Sequence, residues 1–196
     1  MHSYAVEDSQ RRWVTIVIGF VSVFLALGLS RLTKALQWEI PWWVDAPSVV
    51  GFFSILMVLF DRVLWRWSPV RQCGISTTPL LAGTWLAEIT SSYDGHVTKR
   101  EGRVYIRQTW TQILITLKTD DSSSDSIAAC ISASGQFPHI WYGYRNSPLS
   151  HAVATMQAHP GASEMELVSA DRLEGEYFSG RGRKNHGRIV FQRTGS

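Results

Sequence analysis

Apolar positions are distributed along this chain in two different ways. From Trp13 to Ser30 no residue is charged, and from Ala46 to Phe60 none is either. From Leu81 onward, apolar and polar residues alternate singly. Trp85, Ala87 and Ile89 alternate with Leu86, Glu88 and Thr90; Val104 and Ile106 alternate with Arg103, Tyr105 and Arg107. Ile113, Ile115 and Leu117 do so with Gln112, Leu114, Thr116 and Lys118, and the period returns at Met165 and Leu167, at Leu173, Gly175 and Tyr177, and at Ile189 and Phe191. A period of two marks a half-buried strand, whereas a long unbroken apolar run marks a membrane-spanning helix.

The first run holds 18 residues. At about 1.5 Å per residue it nearly crosses a hydrocarbon core of about 30 Å. The second is shorter, lies between Asp45 and Asp61, and is prolonged by Val63, Leu64 and Trp65; Pro47 suits the first turn of such a helix. The link Gln37-Trp-Glu-Ile-Pro-Trp-Trp43 carries tryptophans fit for the headgroup level, and Trp65 and Trp67 supply anchors on the other side. The pattern predicts a transmembrane hairpin within residues 1–71, with helices near 13–30 and 46–65, and both chain ends in one compartment. Arg11, Arg12, Arg62, Arg66 and Arg71 flank the membrane on that side, against Arg31 and Lys34 in the connecting loop. This bias places the N-terminus and the β-rich part in the cytoplasm. A cleaved signal peptide is the alternative for the first run, and a buried soluble helix for the second.

Turn signals at Tyr93-Asp-Gly95, Asp120-Asp-Ser-Ser123, Ser134-Gly-Gln136, His159-Pro-Gly161, Ala170-Asp171 and Gly180-Arg-Gly-Arg-Lys-Asn-His-Gly187 cut residues 72–196 into eight short strands. They fall near 82–92, 98–108, 111–119, 124–134, 139–146, 162–169, 172–180 and 186–194. Short strands joined by hairpins suit a small up-and-down β-barrel, which leaves no exposed edge and at eight strands has room for one small ligand. A sandwich is the alternative. Leu81-Ala-Gly-Thr-Trp85 resembles the Gly-x-Trp opening of lipocalin-type barrels, in which the tryptophan closes the floor beneath an arginine of the last strand; Arg193 is placed for that part. The expected fold is therefore a membrane-anchored all-β protein: a two-helix transmembrane hairpin followed by an eight-stranded, lipocalin-like barrel.

Charge narrows the partners. Residues 1–71 hold seven Lys/Arg against five Asp/Glu, and residues 72–196 hold twelve against eleven. So balanced a domain lacks the basic face that duplex nucleic acid requires, while a pocket for one small anion stays open. Cys73 and Cys130 form no evident disulfide framework and read as free thiols of a reducing compartment.

The layout as a whole resembles the two-transmembrane β-barrel effectors of CBASS, the bacterial cyclic-oligonucleotide anti-phage systems. The residues that carry the likeness are Gly83-Thr-Trp85, Ile106-Arg-Gln-Thr-Trp110, Ser122-Ser-Ser-Asp-Ser126, Trp141-Tyr-Gly-Tyr-Arg-Asn-Ser-Pro148, His159-Pro-Gly161, and Leu173-Glu-Gly-Glu-Tyr-Phe178 with Arg181. The resemblance implies a cyclic dinucleotide, made by a CD-NTase, that binds the barrel. Binding would drive self-association, clustering of the helices, disruption of the inner membrane and death of the infected cell. It implies a multi-pass inner-membrane protein, with the lipid bilayer and further copies of itself as partners, and neither enzymatic activity nor a cofactor.

A cyclic dinucleotide offers two π-faces and two phosphates, so its pocket needs aromatic rings and a few donors. Trp110, Tyr142, Tyr144 and Tyr177 are strand aromatics able to stack, and Thr109, Ser124, Ser126 and Asn146 can donate or read base edges. Arg181 can meet a phosphate with its planar fork. Leu173, Gly175, Tyr177, Ser179 and Arg181 share one face by parity, whereas Tyr142 and Tyr144 share a face that is either the inner or the outer one. Trp85 reads as core, Trp110 as core or site, and Arg181-Gly-Arg-Lys184 as an exposed basic turn, Arg183 and Lys184 being equally suited to lipid headgroups. His96, His139, His151, His159 and His186 show no metal-ligand spacing, and no nucleophile or phosphate-loop motif appears. A tethered carrier of an apolar ligand remains the alternative, as does a lipid-acting enzyme with its catalytic set at the barrel mouth.

Overall fold

The computed structural model describes residues 1–6, 10–37, 42–132, 137–154, 156–180 and 183–194, those of 10 and 42–47 by backbone alone. Most of the tryptophan-rich link, the Ser134-Gly-Gln136 turn and Arg181 lie outside these residues. Contacts divide the chain into two compact units, Asp8–Thr77 and the combination of Met1–Glu7 with Thr78–Ser196.

The first of these consists of helix α1 (Gln10–Ala35), helix α2 (Trp42–Arg62), a 3-10 turn (Leu64–Arg66) and the short helix α3 (Ser68–Gln72). Both long helices outrun the apolar stretches, α1 because Arg11, Arg12, Arg31 and Lys34 are themselves good helix formers. α2 starts at Trp42, which puts Pro47 in its second turn rather than its first. α1 packs along α2 and buries Val14, Ile18, Ser22 and Ala26, a stripe at four-residue spacing. Small residues such as Ser22 and Ala26 let helices approach closely; the Ser22 hydroxyl turns back to donate to the Ile18 carbonyl at 2.7 Å. Phe20, Phe24 and Leu27 stay exposed. Among the described residues α1, from Arg11 to Ala35, is the one helix long and apolar enough by itself to cross a membrane. Of the two tryptophans expected as anchors after α2, Trp67 presents its ring and Trp65 is fully buried. The 3-10 turn at Leu64–Arg66 interrupts the helical phase and turns Trp65 inward, with the Arg66 guanidinium 5.2 Å from its ring.

The second unit is a closed barrel. Its eight long strands are β3 (Gly83–Ile89), β4 (Arg100–Gln108), β5 (Gln112–Lys118), β6 (Ser122–Ser132), β7 (His139–Pro148), β8 (His159–Ser169), β9 (Arg172–Ser179) and β10 (His186–Arg193), preceded at the N-terminus by the two-residue strands β1 (His2–Ser3) and β2 (Ala5–Val6). Each long strand pairs antiparallel with the next, and β10 returns to β3 with Arg193 opposite Trp85. This closure excludes the sandwich. The expected strands are all present; β1 and β2 are additional.

Direct pairing of β5 with β6 covers only Thr116–Asp125, Leu117–Ser124 and Lys118–Ser123. Beyond it the strands part, and the N-terminal segment fills the fork. His2 and Ser3 pair antiparallel with Ile113 and Gln112, while Ala5 and Val6 pair in parallel with Cys130 and Ile131. Tyr4 between them is 3% exposed and belongs to the barrel core. β6 accommodates the change of partner with a bulge between Ser126 and Ala128. The extra residue, Ile127, points outward, and the inward positions shift from Ser124 and Ser126 to Ala129 and Ile131. Cys73 and Cys130 form no disulfide.

One end of the barrel is a packed floor. Trp85 is fully buried, its indole N–H donates to the Leu81 carbonyl at 3.0 Å, and the Arg193 guanidinium lies 4.3 Å from the ring. Arg193 in turn donates to the carbonyls of Ala82 (2.8 Å) and Leu80 (2.7 Å). This is the arrangement the Gly-x-Trp opening implied. Ile113, Ile131, Ile140, Met165, Leu173 and Phe191 complete the apolar layer.

Candidate functional site

The strands carry a gradient from floor to mouth. Inward positions run from Ile140 through Tyr142 and Tyr144 to Asn146 on β7, from Met165 through Ser163 to Gly161 on β8, and from Leu173 through Gly175 and Tyr177 to Ser179 on β9. Large apolar groups fill one end, and small or polar ones leave the other end hollow. The hollow is a cavity of about 500 Å³, within the range of small-molecule sites. Gly161 is one reason it stays open: a Cβ there would overlap the Tyr144 ring.

Five of the nine residues expected to bind ligand line this cavity: Ser124, Tyr142, Tyr144, Asn146 and Tyr177. Tyr142 and Tyr144 face inward, 4% and 9% exposed, and their rings lie 6.2 Å apart at 50°. The structure does not bring Thr109, Trp110 and Ser126 there. Thr109 shapes the β4–β5 turn at the floor end, where its hydroxyl accepts from the amides of Thr111 and Gln112. Trp110 is buried on the same turn. Ser126 points inward but is taken up by His2 Nε2 at 2.7 Å and the Ile115 amide at 2.9 Å. Arg181 lies outside the described residues.

Both buried phenols are held in the neutral form. Burial is the main cause and pushes Tyr144 up to about 12; a hydrogen bond to Ser179 and the Arg183 charge oppose it, and Tyr177 adds to it. Burial raises Tyr142 further, against the hydrogen bond with Ser163. Each phenol is thus a donor at any physiological pH. The folded barrel keeps protons that the unfolded chain releases near pH 10, so stability stays level to about pH 9 and falls above it. The expected slope is about 1.4 kcal/mol per pH unit for each phenol protonated only in the fold. Denaturation of the detergent-solubilised chain at pH 8 and pH 11 measures it, and Tyr142→Phe should flatten it; an unchanged slope would show the phenol to be solvated.

Charge at the mouth is largely compensated. Lys99 meets Glu88 at 2.8 Å, and Arg100 and His151 lie 3.7 and 3.6 Å from Asp121. Arg183, which the sequence left on an exposed turn, differs. It lines the cavity and, among the described residues, has no carboxylate within ion-pair distance. Its Nη1 is out of solvent and has no hydrogen-bond partner. The Asn185 amide, oriented as its neighbours require, accepts from Arg183 Nε at 3.3 Å and donates to the Arg183 carbonyl at 2.9 Å, fixing the side chain. A guanidinium nitrogen withdrawn from solvent without a partner is chemically suited to meet an anion. No group of three His, Cys, Asp or Glu suited to a metal ion occurs among the described residues.

Comparison with known proteins identifies the family. The family model described as "Cap15, cyclic dinucleotide receptor domain" matches residues 76–193, and that described as "Cap15, TM helices" matches residues 12–66. The chain belongs to the Cap15 family. Among its relatives, CD-NTase-associated protein 15 of Yersinia aleksiciae is 31% identical over 196 aligned residues, covering 93% of this chain and 89% of that one. The Staphylococcus schleiferi protein of the same name is 22% identical over 175, covering 89% and 93%. Among solved structures, a redesigned β barrel superposes with a TM-score of 0.33 at 9% identity, over 59% of this chain and 92% of its own, too slight a likeness to bear on the fold. The family is the one that the short motifs resembled, and the chain joins the Cap15 membrane segment to the Cap15 receptor barrel.

Proposed function

We propose that this Cap15 protein is a CBASS effector whose barrel cavity binds a cyclic dinucleotide made by a CD-NTase. Binding promotes self-association of the transmembrane helices, disruption of the bacterial inner membrane and death of the infected cell. The observation that carries this reading is the cavity: inward tyrosines for stacking, serine and asparagine for base edges, and a guanidinium nitrogen, Arg183 Nη1, without a partner for phosphate. An apolar carrier fits less well, because Ser124, Asn146, Ser179 and Arg183 line the lumen beside the aliphatic Ile89, Leu117, Met156 and Ile189. The protein works as a receptor, without catalytic chemistry of its own.

The membrane part comprises residues 1–71 and the sensing part residues 72–196, with the first six residues lent to the barrel. That loan supports the hairpin. Residues 1–6 and the strands from Gly83 onward form one folded unit and so share one side of any membrane. The segment between them then crosses an even number of times, α1 once and α2 once, with the basic residues Arg11, Arg12, Arg62, Arg66 and Arg71 keeping both ends cytoplasmic.

The test uses the full chain in detergent, titrated calorimetrically with a panel of cyclic di- and trinucleotides, and then reconstituted in dye-filled vesicles of inner-membrane lipids. One cyclic dinucleotide is expected to bind with micromolar affinity or better and to release dye. Gly161→Val, which drives a side chain into the Tyr144 ring, should weaken that binding at least tenfold. A folded chain that binds no member of the panel would overturn the reading.

A further inference from the structure

The N-terminal six residues carry no ligand chemistry, yet they are built into the receptor wall. The fork between β5 and β6 is a strand-accepting cleft: β5 offers its edge at Gln112–Ile113 and β6 at Cys130–Ile131, and the chain's own N-terminus satisfies both. Side chains secure it. The Tyr4 amide donates to the Thr111 carbonyl and its hydroxyl to the Thr109 carbonyl, both at 3.3 Å, while Gln108 Nε2 donates to the Tyr4 hydroxyl at 3.5 Å. At the crotch of the fork, Ser126 Oγ holds the Ile115 amide and His2 Nε2 together. Three residues separate Val6 from the start of α1 at Gln10.

The crotch also borders the cavity. Ser124, which lines it, and Ser126, which holds His2, are successive inward residues of β6, and the bulge follows at once. Only three directly paired positions keep β5 and β6 together on the cavity side of the fork. A ligand that draws Ser124 inward acts on the same backbone segment that positions the Ser126 hydroxyl. The bulge is where a sheet tolerates a change of register without unfolding.

From this juxtaposition we infer that residues 1–6 are a latch: a strand-binding site between β5 and β6, occupied by the chain's own N-terminus at rest, ties the start of α1 to the receptor and loosens when the cavity fills. The latch restrains the helix hairpin, and its release frees α1 to associate with other copies. This rests on the ligand-binding reading for its trigger, but the restraint itself can be tested without ligand. By linkage, whatever holds the latch shut must weaken ligand binding by the same factor by which ligand opens it.

The register supplies the experiment. Ala5 lies opposite Cys130 in parallel pairing, so Ala5→Cys with Cys73→Ser leaves one thiol pair across the latch, in neighbouring strands whose spacing suits a disulfide. The oxidised full chain in dye-filled vesicles should bind the cyclic dinucleotide at least tenfold more weakly than the reduced form and release no dye, with reduction restoring both. Conversely, His2→Ala, which removes the ring's bonds to Ser126 and to the Ser3 carbonyl and leaves the core intact, and Tyr4→Ala should each release dye several-fold faster than the native chain without any nucleotide. Equal affinity and leakage in the verified oxidised and reduced forms would overturn the latch, as would native leakage rates in both N-terminal variants. If no nucleotide binds the reduced chain, the ligand reading fails, and the ligand-free leakage of His2→Ala and Tyr4→Ala still decides for or against the latch.

Discussion

Replacing Arg183 by alanine is expected to weaken cyclic dinucleotide binding by about 10- to 100-fold and to leave the unliganded barrel as stable as before, or slightly more so. The two effects have opposite signs for one reason. In the free protein Arg183 Nη1 is withdrawn from water without a partner, so the fold carries an uncompensated cost at that atom. In the complex the same atom meets a phosphate oxygen, and charge-assisted bonds of this kind contribute about 1.5–3 kcal/mol each. Arg183→Lys keeps the charge but loses the planar fork, and should recover only part of the affinity. The measurement is calorimetric titration of native and variant chains beside their denaturation midpoints. A variant that loses stability and affinity together would show that Arg183 is a structural residue of the turn.

The largest effect on the fold is expected at the closed end. Trp85→Ala should cost about 3–5 kcal/mol, a large share of the stability of a domain this size. It removes a fully buried indole, strands the Leu81 carbonyl that the indole N–H satisfies, and leaves Arg193 without the ring it covers. Trp85→Phe keeps most of the buried surface and should cost about 1–3 kcal/mol, chiefly from the unsatisfied carbonyl. Chemical denaturation followed by near-ultraviolet circular dichroism separates the two. If alanine costs less than about 1 kcal/mol, the tryptophan is not the keystone of the floor.

The barrel strands could be read from alternation because each buries one face, and the physics that writes the period is local. Three things were not local. Alternation puts Tyr142 and Tyr144 on one face without saying which, and the two ends of a barrel look alike in sequence; only the fold places Trp110 on the buried turn of the floor end and Tyr142 in the cavity. The last turn is a second case. β9 ends at Ser179, so strand parity does not reach Arg183, whose amide donates to the Gly180 carbonyl at 3.3 Å and whose side chain lines the cavity. The N-terminal segment escaped for a third reason. A pair of two-residue strands around Tyr4 is too short to show any period, and its partners lie more than a hundred residues away.

Those distant partners also set an order of manufacture. The barrel is discontinuous in the chain: its first strands leave the ribosome before α1, and the strand that seals it, β10, is made after all the others. The latch has no edges to join until β5 and β6 exist, and β3 has one free edge until Arg193 arrives opposite Trp85. Nascent chains emerge in sequence order, so the apolar helices meet the bilayer while the receptor is still open. Closure then succeeds only in chains whose two ends have stayed on the same face of the membrane. A molecule whose two ends come to lie on opposite faces has a gap in the wall where residues 1–6 belong and exposes two strand edges, the mark of a misfolded protein.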